Sequence, residues 1–254
     1  MLFGPNLRRI HALHTKNTTM GEKASPLLGT LALVSGMSGL RLDRPMVQTM
    51  WTALFILFSA IIGWVYITTP MLALMYVVVE WCVYYLGHIL FFRFKLHHRL
   101  RTSLGDERAW ATYESVLGVV FFNLGWSLAM FLRVHADTMD LLIPNAVAMV
   151  LGGALFFVSV GIKTWATHLV GMDVYYYRDL FHDRAGDGAL VTSGPYAVFA
   201  NPMYGIGNVS MHGAALEAAS VQGWTVAIVF HISIYVFYLS VERPFMRRVY
   251  GSGG

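Results

Sequence analysis

Long stretches of this chain carry no charge, and that pattern limits what it can fold into more than any motif does. Met46 to Thr69 is uncharged between Arg44-Pro45 and Pro70; Met71 to Phe92 holds only Glu80; Ser115 to Leu132 and Leu141 to Ile162 hold none. A fifth run lies within Ala197 to Leu216, and a sixth covers Gly223 to Val241. A helix needs about 20 mostly apolar residues to cross a hydrocarbon layer of about 30 Å. Each of the six runs is read as one crossing. Leu27 to Leu40 is apolar but short and carries Gly29, Gly36 and Gly39, so it is expected to lie at the interface or re-enter. Only 13% of the 254 residues are charged and 56% are apolar, against about 25% charged in a soluble domain. A soluble enzyme, a coiled coil and a disordered tail are disfavoured. The lone cysteine, Cys82, rules out an internal disulfide framework.

The basic residues lie between the runs rather than on one face, so the net charge of +4 is no signature of nucleic-acid binding. Placing the N-terminal segment, the 93–108 loop, the segment after the fourth run and the C-terminus on the cytoplasmic side accounts for all 18 Lys and Arg except Arg133. The expected protein is an all-α, polytopic membrane helical bundle of about six transmembrane helices with both termini cytoplasmic. Met1 to Lys23 is polar and basic, and no cleavable signal peptide is expected there. The outer connections are short, so chemistry is expected at the cytoplasmic face.

Polar groups at membrane depth are costly, and their spacing is therefore informative. Asn201, Tyr204, Asn208 and His212 recur at intervals of a helical turn, as do His231, Tyr235, Tyr238 and Glu242. A tight turn near Ser220 makes the two runs an antiparallel hairpin. Its two polar edges are expected to face each other, with Asn201 and Glu242 at the cytoplasmic end. Helix adhesion is the competing explanation for such residues, above all for His212 and His231 near the outer end. Upstream, Tyr175-Tyr176-Tyr177-Arg178-Asp179-Leu180-Phe181 mixes aromatics and charge as interfacial segments do. Gly205 and Gly207 either permit close packing or let a ligand approach the backbone, and free N–H groups there would favour an anion.

Gly194-Pro195-Tyr196, then Asn201-Pro202-Met203-Tyr204-Gly205, then Glu242-Arg243-Pro244-Phe245 with Tyr250, resembles the C-terminal core of the phospholipid (phosphatidylethanolamine) N-methyltransferases. These belong with the isoprenylcysteine carboxyl methyltransferases in one integral-membrane superfamily. Tyr177 to Phe181 resembles a short aromatic–Gly–Asp–aromatic stretch of the fungal phosphatidylethanolamine enzymes. The likeness covers about Lys163 to Tyr250. Two departures stand out: Ala200-Asn201-Pro202 occupies the place of the isoprenylcysteine enzymes' Arg-His-Pro, and Glu242-Arg243 replaces a pair of glutamates.

The resemblance implies S-adenosyl-L-methionine as methyl donor, held by Tyr196, Asn201, Pro202, Tyr204, Gly205, Gly207, Asn208 and Glu242. It implies Glu242, Asn201 and Asp179 as the catalytic candidates. Tyr177, Tyr238, Arg243 and Arg247 are the candidates for binding a membrane lipid substrate. On this reading residues 1–45 form an N-terminal extension and 46–162 four spans. Residues 163–250 are the methyltransferase-like core, and 251–254 a flexible tail.

An isoprenylcysteine-type reaction on a thiol or carboxylate is the nearest alternative. A non-enzymatic proton-coupled transporter using Glu80, His88 and Glu242 is another. Glu80, Tyr84 and His88 share a helix face and suggest a proton path, a substrate groove or a neutral structural acid. His97-His98 lacks the companion histidine boxes that a di-iron site needs, and Lys95 to Arg108 is read as a helix on anionic lipid.

Overall fold

A computed structural model describes residues 26–139, 143–184 and 191–251. Arg8, Arg9, Lys16 and Lys23, the signal-peptide reading, Asp140, the start of the fourth run, Gly186 and the last three tail residues lie outside the described residues. Among those described, the regular elements are all helical: α1 (Pro26–Met37), α2 (Met46–Tyr66), α3 (Pro70–Arg93), α4 (Leu96–Leu104), α5 (Asp106–Val134), α6 (Asn145–Val170), the short α7 (Met172–Tyr175) and α8 (Arg178–His182), α9 (Val209–Glu217) and α10 (Val221–Tyr250). The all-α, polytopic reading holds. Helices α2, α3, α5, α6 and α10 are long and apolar enough to cross a membrane.

Five continuous helices of spanning length, rather than six, follow from the broken backbone of the fifth apolar run. Pro202, Gly205 and Gly207 sit where a helix would have to start, and glycine costs about 1 kcal/mol relative to alanine inside one. Residues 201–208 form turns and a 3-10 segment (Ile206–Asn208), leaving nine residues for α9. At 1.5 Å per residue such a helix is about 14 Å long, half a bilayer. Its non-helical entry is buried in protein, as irregular backbone at membrane depth must be. The hairpin turn lies where the sequence places it. Ser220 caps α10, its Oγ accepting the Gly223 N–H at 3.0 Å. Helix α1, at 12 residues, falls short of a crossing.

Small residues set the tightest helix contacts. A Cβ at Gly152 of α6 would lie 2.7 Å from the Gly213 carbonyl oxygen, and one at Gly213 would lie 2.6 Å from that of Gly152. The backbones of α6 and α9 therefore touch, as small-residue membrane contacts allow. Helix α2 contributes little to the core: Trp51, Phe55, Phe58 and Trp64 all point outward. The α2–α3 corner is instead clamped by Arg133, whose guanidinium donates to the carbonyls of Trp64 and Ile67 and lies 4.5 Å over the Trp64 ring.

A buried ion cluster fixes the segment before α2 to the rest. Glu114 of α5, 2% exposed, accepts from Arg41 Nη1 at 3.0 Å, Arg44 Nε at 2.8 Å and Nη2 at 2.7 Å, and Gln48 Nε2 at 3.1 Å. Asp173, at the start of α7, accepts from Arg41, Arg44 and Arg178. Burial pulls the Arg41 guanidinium down, yet its bond to Asp43 and the charges of Glu114, Asp43 and Asp173 hold it above its ordinary value. Burial likewise pushes Asp173 up, but Arg44 and Arg41 keep its carboxyl below the usual range. The Tyr176 hydroxyl donates to the Gly36 carbonyl at 2.8 Å and completes the tie between α1 and α7.

Candidate functional site

Three phenols and a carboxylate form a continuous hydrogen-bonded line through the core. Tyr84 of α3 and Tyr177 meet at 3.0 Å between their hydroxyls, the Tyr204 hydroxyl lies 3.3 Å from that of Tyr177, and it donates to Glu242 Oε2 at 2.8 Å. The three tyrosines are each 7% exposed. Among the described residues nothing donates to Glu242 Oε1. Tyr177 reaches this line because its backbone adopts φ 63° between α7 and α8. A β-carbon makes that left-handed conformation cost about 1–2 kcal/mol. The Asp173 ion cluster and Tyr176 brace the turn just before it.

Both ends of the line fall in helix segments wound as single π-turns. Cys82–Leu86 interrupts α3 around Tyr84, and Tyr238–Glu242 interrupts α10 at Glu242. Such bulges recur at functional sites. The polar edges of the hairpin do meet. Tyr204 bonds Glu242 at one level, and His212 Nε2 lies 3.1 Å from His231 Nδ1 at another. Beside the second pair runs an open groove of about 430 Å³ lined by His212, Ile228, His231, Ile232, Tyr235, Val236 and Leu239.

The remaining candidates divide by what they touch. Asn201 Oδ1 accepts the Tyr204 N–H at 3.2 Å, so this side chain shapes the turn that carries Tyr204. Pro202 is fully buried. The N–H groups of Gly205 and Gly207 donate to the Asn201 and Pro202 carbonyls, both at 2.9 Å, and are not free toward an anion. A Cβ at Gly207 would come within 3.0 Å of the Lys163 side chain, and one at Gly205 within 3.1 Å of the Tyr235 hydroxyl. Asn208 Oδ1 accepts from Lys163 Nζ at 3.0 Å. Tyr238 packs edge-on to Tyr204, ring centres 6.2 Å apart. Asp179 accepts the Tyr250 hydroxyl at 2.7 Å, which docks the C-terminal end of α10 rather than aiming the acid along the phenol line. Arg243 and Arg247 are exposed.

Tyr196, on the 3-10 turn Gly194–Ala197, keeps its hydroxyl buried without a partner among the described residues. Burial, with the Glu242 charge second, pushes that hydroxyl up to about 12. Tyr84 belongs to the line although the sequence reading grouped it with Glu80 and His88. His88 bonds the Tyr84 carbonyl at 2.7 Å and approaches the Tyr113 hydroxyl at 3.4 Å. His97 is buried against Phe91, Phe92 and Phe181, and burial pulls its imidazole down to about 4. Among the described residues, no group of three or more His, Cys, Asp or Glu side chains converges as a metal site would require.

Residues 147–253 match the family model for phospholipid methyltransferase. Curated relatives are phosphatidylethanolamine N-methyltransferases. That of Komagataella phaffii is 26% identical over 161 residues, covering 62% of this chain and 18% of the relative. That of Kluyveromyces lactis is 30% identical over 118 residues, covering 41% and 14%. That of Meyerozyma guilliermondii is 26% identical over 106 residues, covering 42% and 12%. The chain thus aligns with less than a fifth of the length of these relatives. No solved structure matches. The part of the chain that carries Lys163, Tyr177, Tyr204 and Glu242 is therefore similar to the phospholipid methyltransferases, as its motifs indicate.

Proposed function

We propose that this protein is an integral-membrane methyltransferase that uses S-adenosyl-L-methionine to N-methylate phosphatidylethanolamine or a related lipid amine at the cytoplasmic face. The observation that carries the reading is the buried line from Tyr84 to Glu242, in which one carboxylate oxygen has no donor among the described residues. The residues fit a nucleoside donor. Tyr196, whose buried hydroxyl has no partner among the described residues, lies near Glu242, and Tyr238 and Tyr204 offer aromatic rings to a cation. When bound, the donor supplies an electrophilic methyl carbon on a cationic sulfur.

An ammonium headgroup has no lone pair and must lose a proton before its nitrogen acts as nucleophile. Glu242 Oε1 is the group to accept it, while Tyr204 holds Oε2 and fixes the plane of the carboxylate. Tyr177 and Tyr84 hold Tyr204 in turn, and the surrounding apolar core excludes water. Asn201 acts through the turn that sets Tyr204, and Asp179 through Tyr250. Arg243 and Arg247 sit exposed at the end of α10, where the resemblance puts lipid binding. Incubating the purified protein with labelled donor and total membrane lipid tests the proposal. Labelled, N-methylated phosphatidylethanolamine that is absent with Glu242→Gln is the expected product. A labelled product without phosphate moves the reaction to a thiol or carboxylate acceptor, and pH-driven flux without donor binding moves it to a transporter.

A further inference from the structure

Lys163 is a cation near the C-terminal end of a helix long and apolar enough to cross a membrane, and ionisable groups in such helices mark functional sites by default. It lies seven residues before the end of α6, about 10 Å within the helix. Several cations of the neighbouring segments are matched by acids: Arg41 and Arg44 by Glu114 and Asp173, Arg178 by Asp173, Arg248 by Asp183. None of the ion pairs among the described residues includes Lys163. Its Nζ donates to Asn208 Oδ1 at 3.0 Å and lies 5.9 Å from the centre of the Tyr175 ring, and its stem packs on Gly207. An ammonium has three donors, so the amide oxygen and the ring face orient the charge without neutralising it.

The bare backbone at Gly207 is what makes room. A Cβ there would press on the Lys163 stem and on the Pro202 carbonyl at 2.9 Å. The same turn carries Tyr204, and Tyr175 precedes Tyr177 by two residues, so Lys163 is anchored to both segments that bring phenols to Glu242. With the Gly205 and Gly207 amides already bonded, Lys163 is the cation these turns present to an anion.

Resting on the methyl-transfer reading, we propose that Lys163, oriented by Asn208, is the anion receptor of the site. Its ligand is an anionic oxygen group, either the donor's carboxylate or the phosphate of the lipid headgroup. A charge-assisted hydrogen bond of this kind is worth about 10- to 100-fold in affinity.

The experiment compares paired probes on the detergent-solubilised full chain. One pair is S-adenosylhomocysteine and its decarboxylated counterpart, titrated by calorimetry. The other is phosphatidylethanolamine and a phosphate-free lipid amine of equal chain length, followed by tryptophan fluorescence. The wild-type protein should prefer the anion-bearing member of one pair by about 10- to 100-fold, and Lys163→Met should erase that preference while leaving the other pair unchanged. The affected pair identifies the anion. Asn208→Asp places a carboxylate against the ammonium and should erase the same preference without removing the lysine, which covers the case of a Lys163→Met protein that does not fold. Preferences that survive both variants, or a wild-type protein with no preference in either pair, overturn the assignment. A wild-type protein that binds neither nucleoside refutes the methyl-transfer reading instead, and the lipid pair alone then decides Lys163.

Discussion

Replacing Glu114 by leucine removes the acceptor of four hydrogen bonds from Arg41, Arg44 and Gln48. It leaves Arg41, itself 7% exposed, with Asp173 and the exposed Asp43 as its remaining acids. Removing one partner of a buried ion pair costs about 3–5 kcal/mol, most of it the penalty of the stranded charge. For a chain of this length each kcal/mol shifts the melting midpoint by about 2–4 °C. Glu114→Leu should therefore lower the midpoint of the detergent-solubilised protein by about 10 °C, read by circular dichroism at the helical band. Because the stranded charges carry the cost, adding Arg41→Met and Arg44→Met should restore most of the loss. Two results refute the reasoning: a midpoint within about 2 °C of wild type for the single variant, or a triple variant no more stable than the single one.

Tyr204→Phe deletes the donor to Glu242 Oε2 and the link to Tyr177 while keeping the ring; methyl transfer should fall about 10- to 100-fold with the melting midpoint little changed. The bond from Arg41 holds the Asp43 carboxyl below the usual carboxylate range, and the Arg44 and Arg41 charges do the same for Asp173. Their stabilisation is thus fully present above about pH 4, the unfolded range, and is lost as the pH falls through the lower folded values. A melting series should be flat from neutral pH to about pH 5 and drop below about pH 4, with Asp173→Asn shallower in that drop. Gly152→Val puts a branched side chain 2.6 Å from the Glu217 backbone nitrogen, where nothing flexible can give way, and should cost about 1–3 kcal/mol or more in unfolding experiments.

The membrane architecture was legible because hydrocarbon imposes one rule on every residue, and uncharged runs report it directly. The turn at Ser220 was legible for a similar reason, being short and polar between two such runs. Helical spacing also brought Glu242 and Tyr204 to the same edge. It failed where the helix itself fails: from Asn201 to Asn208 the chain is in turns, and the intervals between those residues describe no helix face. Asn201 consequently bonds its own turn, and Asn208 faces α6. Tyr84 was visible as one of three residues on a helix face, but its partner lies 93 positions away. The left-handed backbone at Tyr177, which makes that meeting possible, leaves no signature in a run of tyrosines. Lys163 was read for its charge alone, since the amide that orients it comes from another segment. The acid cluster around Glu114 was hidden likewise, its partners lying 70 and 73 residues apart in sequence.

The two π-turns give the protein an unusual relation to genetic change. Each holds one residue more than an ordinary turn would, so the rotation of everything beyond it depends on the turn staying widely wound. Rewinding Tyr238–Glu242 as regular helix with every residue kept would swing the C-terminal end of α10 by about 100° about its axis. Phe245, now buried, would turn toward lipid headgroups, and an arginine would turn toward the core. These two turns are thus the places where the helices can absorb a change of length: loss of one codon inside a turn would leave Phe245 facing the core, whereas the same loss in a regular stretch would rotate everything beyond it.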